Sequence, residues 1–354
     1  MITTKEALFG IVLPQENMRI QAQNHIDALA IPHNSLGVIT ELAGKLATIT
    51  ANMKPIFDHK ELFVFAGDHG VTAEGISLFK KEVTKEMIGN FLKGGAAVNV
   101  FAENADAKVN IVDMGVDGDL EAIYGENKII NRKIANGTKN MVNEPAMTRD
   151  EAAKAINIGI NLAVDAVKNG ANLLGTGDMG IGNTTASTAI LAAVSGLAPE
   201  DITGRGTGLC PEDVAKKAAI IKKVLARRRF SRNDSIGILS MVGGFEIGGI
   251  AGLILGAAYC KVPILIDGYI STAGALLAYN INPAVKEYMI FTHVSNEKAH
   301  IKMLEYMDVK PLLHLDMRLG EGTGAALAMP LIDAAAAILN KMLTFAQANV
   351  TPAK

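Results

Sequence analysis

Short unbroken apolar runs alternate along this chain with longer stretches in which apolar residues recur every three or four positions. The first kind reads as strands buried on both faces of a sheet, the second as amphipathic helices. Residues 1 to about 55 carry the helical spacing, broken around Pro32 and Asn34-Ser35. Residues 62–66 (LFVFA) form the first predicted strand, which delivers Gly67-Asp68-His69-Gly70. A helix is predicted over 84–102, weakened in its middle by Gly94-Gly95, and a second strand over 109–112 closes on Asp113. A helix over 149–169 leads into a third strand, 171–174. There follow a glycine-rich turn over 175–183, a helix over 184–196, a second glycine loop and a helix over 211–228. Strands over 262–266 and 289–292 end at Asp267-Gly268 and His293, and a long apolar helix covers 325–345. This alternation predicts an α/β fold, a mainly parallel sheet with helices on both faces. Ligands of such sheets sit beyond the carboxyl ends of the strands, where each polar cluster named above falls.

Composition narrows the picture. A length of 354 residues suits one large domain with extra elements, or two domains. Hydrophobic residues at 49% and charged residues at 20% fit a packed enzyme and exclude a disordered chain. A net charge of −2 supplies no field for nucleic acid or an anionic membrane. The run Arg227-Arg228-Arg229 is the exception, and a solvated helix end is expected there. Cys210 and Cys260 lie far apart without CxxC spacing, which argues against zinc or a disulfide framework and suits a reducing, cytoplasmic setting. The start MITTKEALFG lacks a basic segment followed by an apolar core, so no signal peptide is expected. Residues 242–260 are apolar enough to raise the question of a membrane. They also hold Glu246 and six glycines, and a strand follows closely, so a buried helix is expected.

Four motifs are candidates for chemistry. Gly175-Thr-Gly-Asp-Met-Gly180 matches GxGxxG, a weak sign of dinucleotide binding because no second strand with an acidic end follows. The simpler reading is a site for a sugar phosphate: glycine N–H groups with Asn183-Thr184 capping the next helix, and Asp178 accepting from ribose hydroxyls. A purely structural turn is the plain alternative. Gly204-Arg-Gly-Thr-Gly208 is a second loop, with Lys216 and Lys217 close behind; either lysine is a candidate phosphate partner or an ordinary surface residue. Arg318-Leu-Gly-Glu-Gly-Thr-Gly324 is the sharpest feature. Its glycines allow close approach, apolar surroundings would raise the Glu321 pKa as a general base requires, and Arg318 can meet a phosphate. Against this stands an exposed loop glutamate. Asp68-His69 reads as a structural hydrogen-bonded pair more readily than a catalytic one, since the chain has no GxSxG elbow. It also has neither a GxxxxGK[ST] loop nor an HExxH helix.

Taken together, AGDHGVTAEG (66–75), GTGDMGIGNTT (175–185), SMVGGFEIGGIAGLILGAA (240–258), PILIDGYIS (263–271) and MRLGEGTGAALAMP (317–330) resemble the nicotinate-nucleotide–dimethylbenzimidazole phosphoribosyltransferase family. The likeness runs from about residue 25 to the C-terminal helix. It implies a Rossmann-like sheet over 56–324 plus a small helical domain from the two chain ends, 1–55 and 325–354. It further implies transfer of the phosphoribosyl group of nicotinate mononucleotide to a cobamide lower-ligand base, giving an α-riboside phosphate and nicotinate, with no metal or redox cofactor. A dimer, in which the partner chain helps shape each site, is implied too. Residue by residue, Glu321 matches the base that deprotonates the attacking ring. Asp178, Gly180, Gly206, Lys217, Ser295, Arg318, Leu319 and Gly320 match positions that hold ribose and phosphate. Asp178 replaces a glutamate of several relatives.

Two departures stand out. The KPPGSLGR pattern of relatives is IPHNSLGV at 31–38, without its lysine and arginine. In the lower-ligand pocket, Phe79 and Met87 stand where some dimethylbenzimidazole enzymes have serine and glutamine, with Ser77 as another candidate for the serine. A drier pocket resembles the branch that activates phenol or p-cresol and pairs two paralogous chains. A nicotinamide-dinucleotide oxidoreductase and a non-catalytic paralogue subunit are the competing functions; the intact RLGEGTG loop opposes the second.

Overall fold

The structure, a computed structural model, describes residues 1–120, 129–228 and 231–351. Arg229 and residues 352–354 lie outside the described residues. Among the described residues, six strands form one all-parallel sheet: β1 Lys60–Gly67, β2 Ala107–Gly115, β3 Ile130–Asn131, β4 Leu173–Met179, β5 Ile264–Ile266 and β6 Met289–Phe291. Their order is β3-β2-β1-β4-β5-β6, so the direction of winding reverses between β1 and β4. Helices cover both faces, and the fold is Rossmann-like α/β. A small parallel pair, β7 His293–Val294 with β8 Leu313–His314, lies beside the sheet.

The alternation of β1 shows how one strand serves two cores. Phe63 and Phe65 pack into one cluster with the helices Arg149–Lys168, Asn183–Ser195, Phe245–Cys260 and Tyr269–Ile281. Leu62, Val64 and Ala66 point the other way, toward Glu16–Asp27, Val38–Thr50, Glu82–Leu92, Ala97–Asn104 and Thr323–Lys341. Because both faces are dry, the strand reads as an unbroken apolar run. The first helix, Thr4–Gly10, stands apart from the other N-terminal helices. Ala7 and Ile11 join the first cluster, and the Ile2 N–H donates to Asn161 Oδ1 at 2.8 Å.

The glycines of 242–260 are explained by a helix crossing. A Cβ on Gly159 would lie 2.0 Å from the Gly249 carbonyl oxygen, and one on Gly252 would lie 2.0 Å from that of Ile156. Only glycine lets Phe245–Cys260 and Arg149–Lys168 approach so closely. Thr323–Lys341 is long and apolar enough to cross a membrane. Here it is a core helix, with Met329, Ile332 and Ala335 packed into the cluster of Leu62 and Val64.

Several sequence expectations change. The helix over 84–102 is two helices, Glu82–Leu92 and Ala97–Asn104; Gly94 takes φ +74° and ends the first. The turn over 175–183 begins later than expected, because residues up to Met179 continue β4. Gly177 is there for packing: a Cβ would meet the Glu321 carbonyl oxygen at 2.2 Å. The glycine-rich match is therefore largely a strand. The last long helix runs Thr323–Lys341, not 325–345. Arg228 is no freely solvated helix end. Its guanidinium donates to the carbonyls of Met141 and Glu144, in one turn, and of Met241, tying those two stretches of backbone to its own helix end.

Candidate active site

A cavity of about 470 Å³ opens beyond the carboxyl ends of β4 and β5, next to the reversal of strand order. Its acidic floor rests on Glu321. Gly320, Glu321 and Gly322 take successive left-handed conformations, φ +86°, +65° and +103°. For glutamate that conformation costs of order 1–3 kcal/mol, and the surroundings hold it. Asp267, just past β5, accepts the N–H of Gly322 at 3.2 Å, Gly324 at 2.7 Å and Ala325 at 3.2 Å. The Glu321 N–H donates to the Asp178 carbonyl at 3.2 Å. Its carboxylate Oε2 accepts the N–H of Val98 at 3.2 Å, at the start of the helix Ala97–Asn104. Burial pushes the Glu321 carboxyl above its usual range; the Val98 bond pulls it partly back, and the charge of Asp267 adds to the rise.

Asp178 lies beside it near the end of β4. One oxygen accepts from Asn183 Nδ2 at 2.9 Å, and the other, Oδ1, is buried without a hydrogen-bond partner. Burial, then the charges of Asp267 and Glu246, hold its carboxyl well above the usual range, against the pull of the Asn183 bond. Asn183 and Thr184 thus do not cap the next helix as expected. Gly182, at φ +99°, is the N-cap, and the two side chains turn to Asp178 and Lys217. Asp68 and His69 are not bonded to each other in the expected way either. His69 Nε2 meets Glu246 Oε1 at 2.7 Å, while Asp68 accepts the Asp117 N–H at 2.8 Å. Burial pulls the His69 imidazolium down, but the charge and hydrogen bond of Glu246 outweigh it and raise the group.

The opposite wall is cationic. Lys217 is almost wholly buried in the helix Pro211–Ala226, and its Nζ donates to Thr184 Oγ1 at 2.7 Å. Burial draws its pKa down to about 8, with Glu297 opposing the fall. Lys217 stands one layer behind the cavity surface, which Thr184 and Gly206 form in front of it. Arg318 Nη1 donates to the Gly206 carbonyl at 3.0 Å and so couples the two glycine loops. Ser295 lines the cavity below; its N–H donates to Nδ1 of buried His300, whose ring bonds Thr272 Oγ1 at 2.8 Å.

Phe79, Met87, Ile76 and Val83 line the third side, with Ser77 among them. The fold therefore brings Phe79, Met87, Asp178, Gly180, Gly206, Ser295, Arg318, Leu319, Gly320 and Glu321 to one cavity. Lys216 sits elsewhere, by Gly75, and the altered 31–38 loop lines a separate hollow with Gln23 and Phe345. Sequence reasoning missed Glu246 and Glu297. The first is hidden inside a run that reads as pure helix core. The second is signalled only by its place just after the strand end at His293.

A parallel sheet of this order, with a buried carboxylate, cations and an apolar wall beside its reversal, defines a Rossmann-like α/β enzyme site. Residues 11–350 match the family model described as phosphoribosyltransferase. The chain is 48% identical over 347 residues to the nicotinate-nucleotide–dimethylbenzimidazole phosphoribosyltransferase of Geobacter sp. (strain M21), covering 98% of this chain and 99% of that protein. It is also 48% identical over 350 residues to the protein of that name from Geobacter sulfurreducens, covering 99% of each. A crystal structure of the Thermus thermophilus enzyme of that name superimposes with a TM-score of 0.90 at 41% identity, over 96% of this chain and 100% of that one. The chain belongs to the nicotinate-nucleotide–dimethylbenzimidazole phosphoribosyltransferase family.

Proposed function

We propose that this enzyme transfers the phosphoribosyl group of nicotinate mononucleotide to an aromatic nitrogen base, with dimethylbenzimidazole as the acceptor its relatives' names support. The observation that carries the reading is Glu321. It is a carboxylate of raised basicity, locked in a left-handed turn and presented to a cavity that Arg318 also lines, with Lys217 just behind its wall. In the reaction the bond from the anomeric carbon to the pyridinium nitrogen breaks, and its electron pair neutralises the departing ring. The acceptor's unprotonated ring nitrogen bonds to the opposite face of the sugar, and the proton on its other ring nitrogen passes to Glu321, which leaves the new riboside neutral. Arg318 and, through Thr184 and Gly206, Lys217 favour the phosphate end. Asp178 and Ser295 face the ribose.

A second acceptor class is favoured by one observation. Phe79 and Met87 share the cavity with Ile76 and Val83. A benzimidazole must bury two ring nitrogens there, whereas a phenol buries one hydroxyl, which Glu321 can receive. Ser77, on the same wall, offers a hydroxyl to either. The chemistry is harder for phenol, a weak acid with a pKa of about 10. Residues 56–324 are the proposed catalytic domain and the chain ends, 1–55 and 325–354, the small helical one. The packing of Val38–Thr50 on Glu16–Asp27 and Thr323–Lys341 supports that division, while Thr4–Gly10 packs instead on Arg149–Lys168 and Phe245–Cys260. A cytosolic dimer is the proposed working form. The exposed Leu78, Phe79 and Leu319 near the cavity support a partner chain, and the free thiols of Cys210 and Cys260 support the compartment. The deciding experiment incubates the protein with nicotinate mononucleotide and a pool of benzimidazoles, purines and phenols, then identifies the ribotides by mass spectrometry. No ribotide from any acceptor ends the reading.

A further inference from the structure

Glu297 lies between the two glycine loops and the cationic wall, and no step above uses it. It lines the cavity yet is only 7% exposed. The position is tight: a Cβ on Gly204 would come within 2.0 Å of its Oε2. It is faced by donors and cations. Lys217 faces it from the helix Pro211–Ala226, Arg318 from the loop before the last long helix, and the Gly206 N–H bonds to it. Tyr269 faces it from a fourth side, its hydroxyl held by Thr188. Its own N–H is turned away, donating to Ser295 Oγ at 3.3 Å.

Resting on the phosphoribosyl reading above, we propose that Glu297 is a built-in counter-anion of the phosphate seat, displaced electrostatically when phosphate arrives and taking up a proton as it does so. In the free enzyme its negative charge offsets Lys217, a buried ammonium that would otherwise tend to lose its proton. A phosphate brings up to two negative charges to the same cations at neutral pH. Two anions around one pair of cations repel, and in a buried site that repulsion favours the neutral form of the carboxyl. Burial already holds the Glu297 carboxyl above its usual range, with Lys217, the Gly206 N–H and Arg318 pulling the other way. Phosphate consumes the attraction of those cations, so the proton that binds Glu297 comes from solvent. The sign of the linkage follows: a group whose pKa rises on binding makes affinity fall as pH increases through its free-state value.

The test is isothermal titration of the full-length protein near pH 7.5, in buffers of different ionisation enthalpy. Nicotinate mononucleotide is one titrant and inorganic phosphate the other. The wild-type protein should take up a measurable fraction of a proton relative to Glu297→Gln, and Glu297→Gln should bind at least threefold more tightly at pH 8. Lys217→Arg, whose charge does not titrate, should keep the uptake and an affinity that falls with pH by up to tenfold per unit. Equal uptake in wild type and Glu297→Gln overturns the inference. If Glu297→Gln does not fold, a flat or rising affinity from pH 7 to 8 in Lys217→Arg overturns it instead. Binding without proton uptake removes this inference and leaves the substrate reading standing; failure of both titrants to bind removes both.

Discussion

The acidic floor and the cationic wall of the cavity are buried alike but are stabilised in opposite ways. Around Glu321 the charges are mainly of one sign, Asp178 and Asp267 with Glu246 behind them, and relief comes from backbone N–H groups. Around Lys217 the groups are of mixed sign, and relief comes from a carboxylate, Glu297, and one hydroxyl. Burial drives both sides toward neutrality, raising carboxyls and lowering the ammonium. On the floor that creates a base stronger than an ordinary carboxylate. On the wall it creates a cation that needs an anion, which a phosphate can be. One physical effect thus leaves a floor of raised basicity and a wall with a buried cation, which suits the proton transfer and anchoring proposed for them.

The largest effect should come from the floor. Glu321→Gln is expected to lower kcat by roughly 10²–10⁴-fold with little change in substrate affinity. In the wild type the acid limb of kcat/KM should lie above the usual carboxylate range, because the raised Glu321 carboxyl must be ionised to accept a proton and activity is lost as pH falls through its pKa. A variant of near wild-type turnover would remove Glu321 from the mechanism and dissolve the contrast between floor and wall.

On the wall, Lys217→Ala should weaken nicotinate mononucleotide binding, by no more than the roughly 1.5–3 kcal/mol of a direct charge-assisted hydrogen bond, since Thr184 and Gly206 stand between it and the cavity. Nicotinate riboside, which lacks the phosphate, should be insensitive to it. Equal losses for both ligands in a binding titration would make Lys217 structural. Asp267→Asn tests how the floor is supported. It removes a charge facing the start of the helix Thr323–Lys341 and weakens three N–H bonds, so chemical denaturation should show a loss of about 1–2 kcal/mol. Unchanged stability together with unchanged kcat would mean that the glycine loop holds Glu321 without it.

The smallest expected effect concerns the apolar side. Changing Phe79 to Ser and Met87 to Gln should shift the ratio of rates for dimethylbenzimidazole over phenol upward by roughly fivefold or more, since one newly satisfied polar group is worth about 1 kcal/mol. Competition between the two acceptors in one tube reads the ratio directly. If wild type and variant both turn over dimethylbenzimidazole and neither touches phenol, the phenolic reading is wrong and the benzimidazole enzyme stands.

Much of this was legible in the chain itself. The apolar runs at 62–66, 109–112 and 289–292 each lie at a sheet strand, because strands dry on both faces leave a local signature. The loop RLGEGTG announced its glutamate because glycines on both sides are needed for a turn of three left-handed residues. The segment 175–179 misled for a related reason. Glycine also marks a strand over which another backbone passes, and spacing alone does not separate that use from a turn.

What the sequence determined by itself was the main alternation of strands and helices, the parallel architecture and the glycine-flanked glutamate at 321, all carried by neighbours a few residues apart. Tertiary structure decided the partners. His69 meets Glu246 across 177 positions, Asp267 reaches Gly324 across 57, and Arg318 reaches Gly206 across 112. Those contacts set which carboxyls are raised and which cation is lowered. Charge and burial act through space, and no local pattern records which distant residue will arrive at the end of a neighbouring strand.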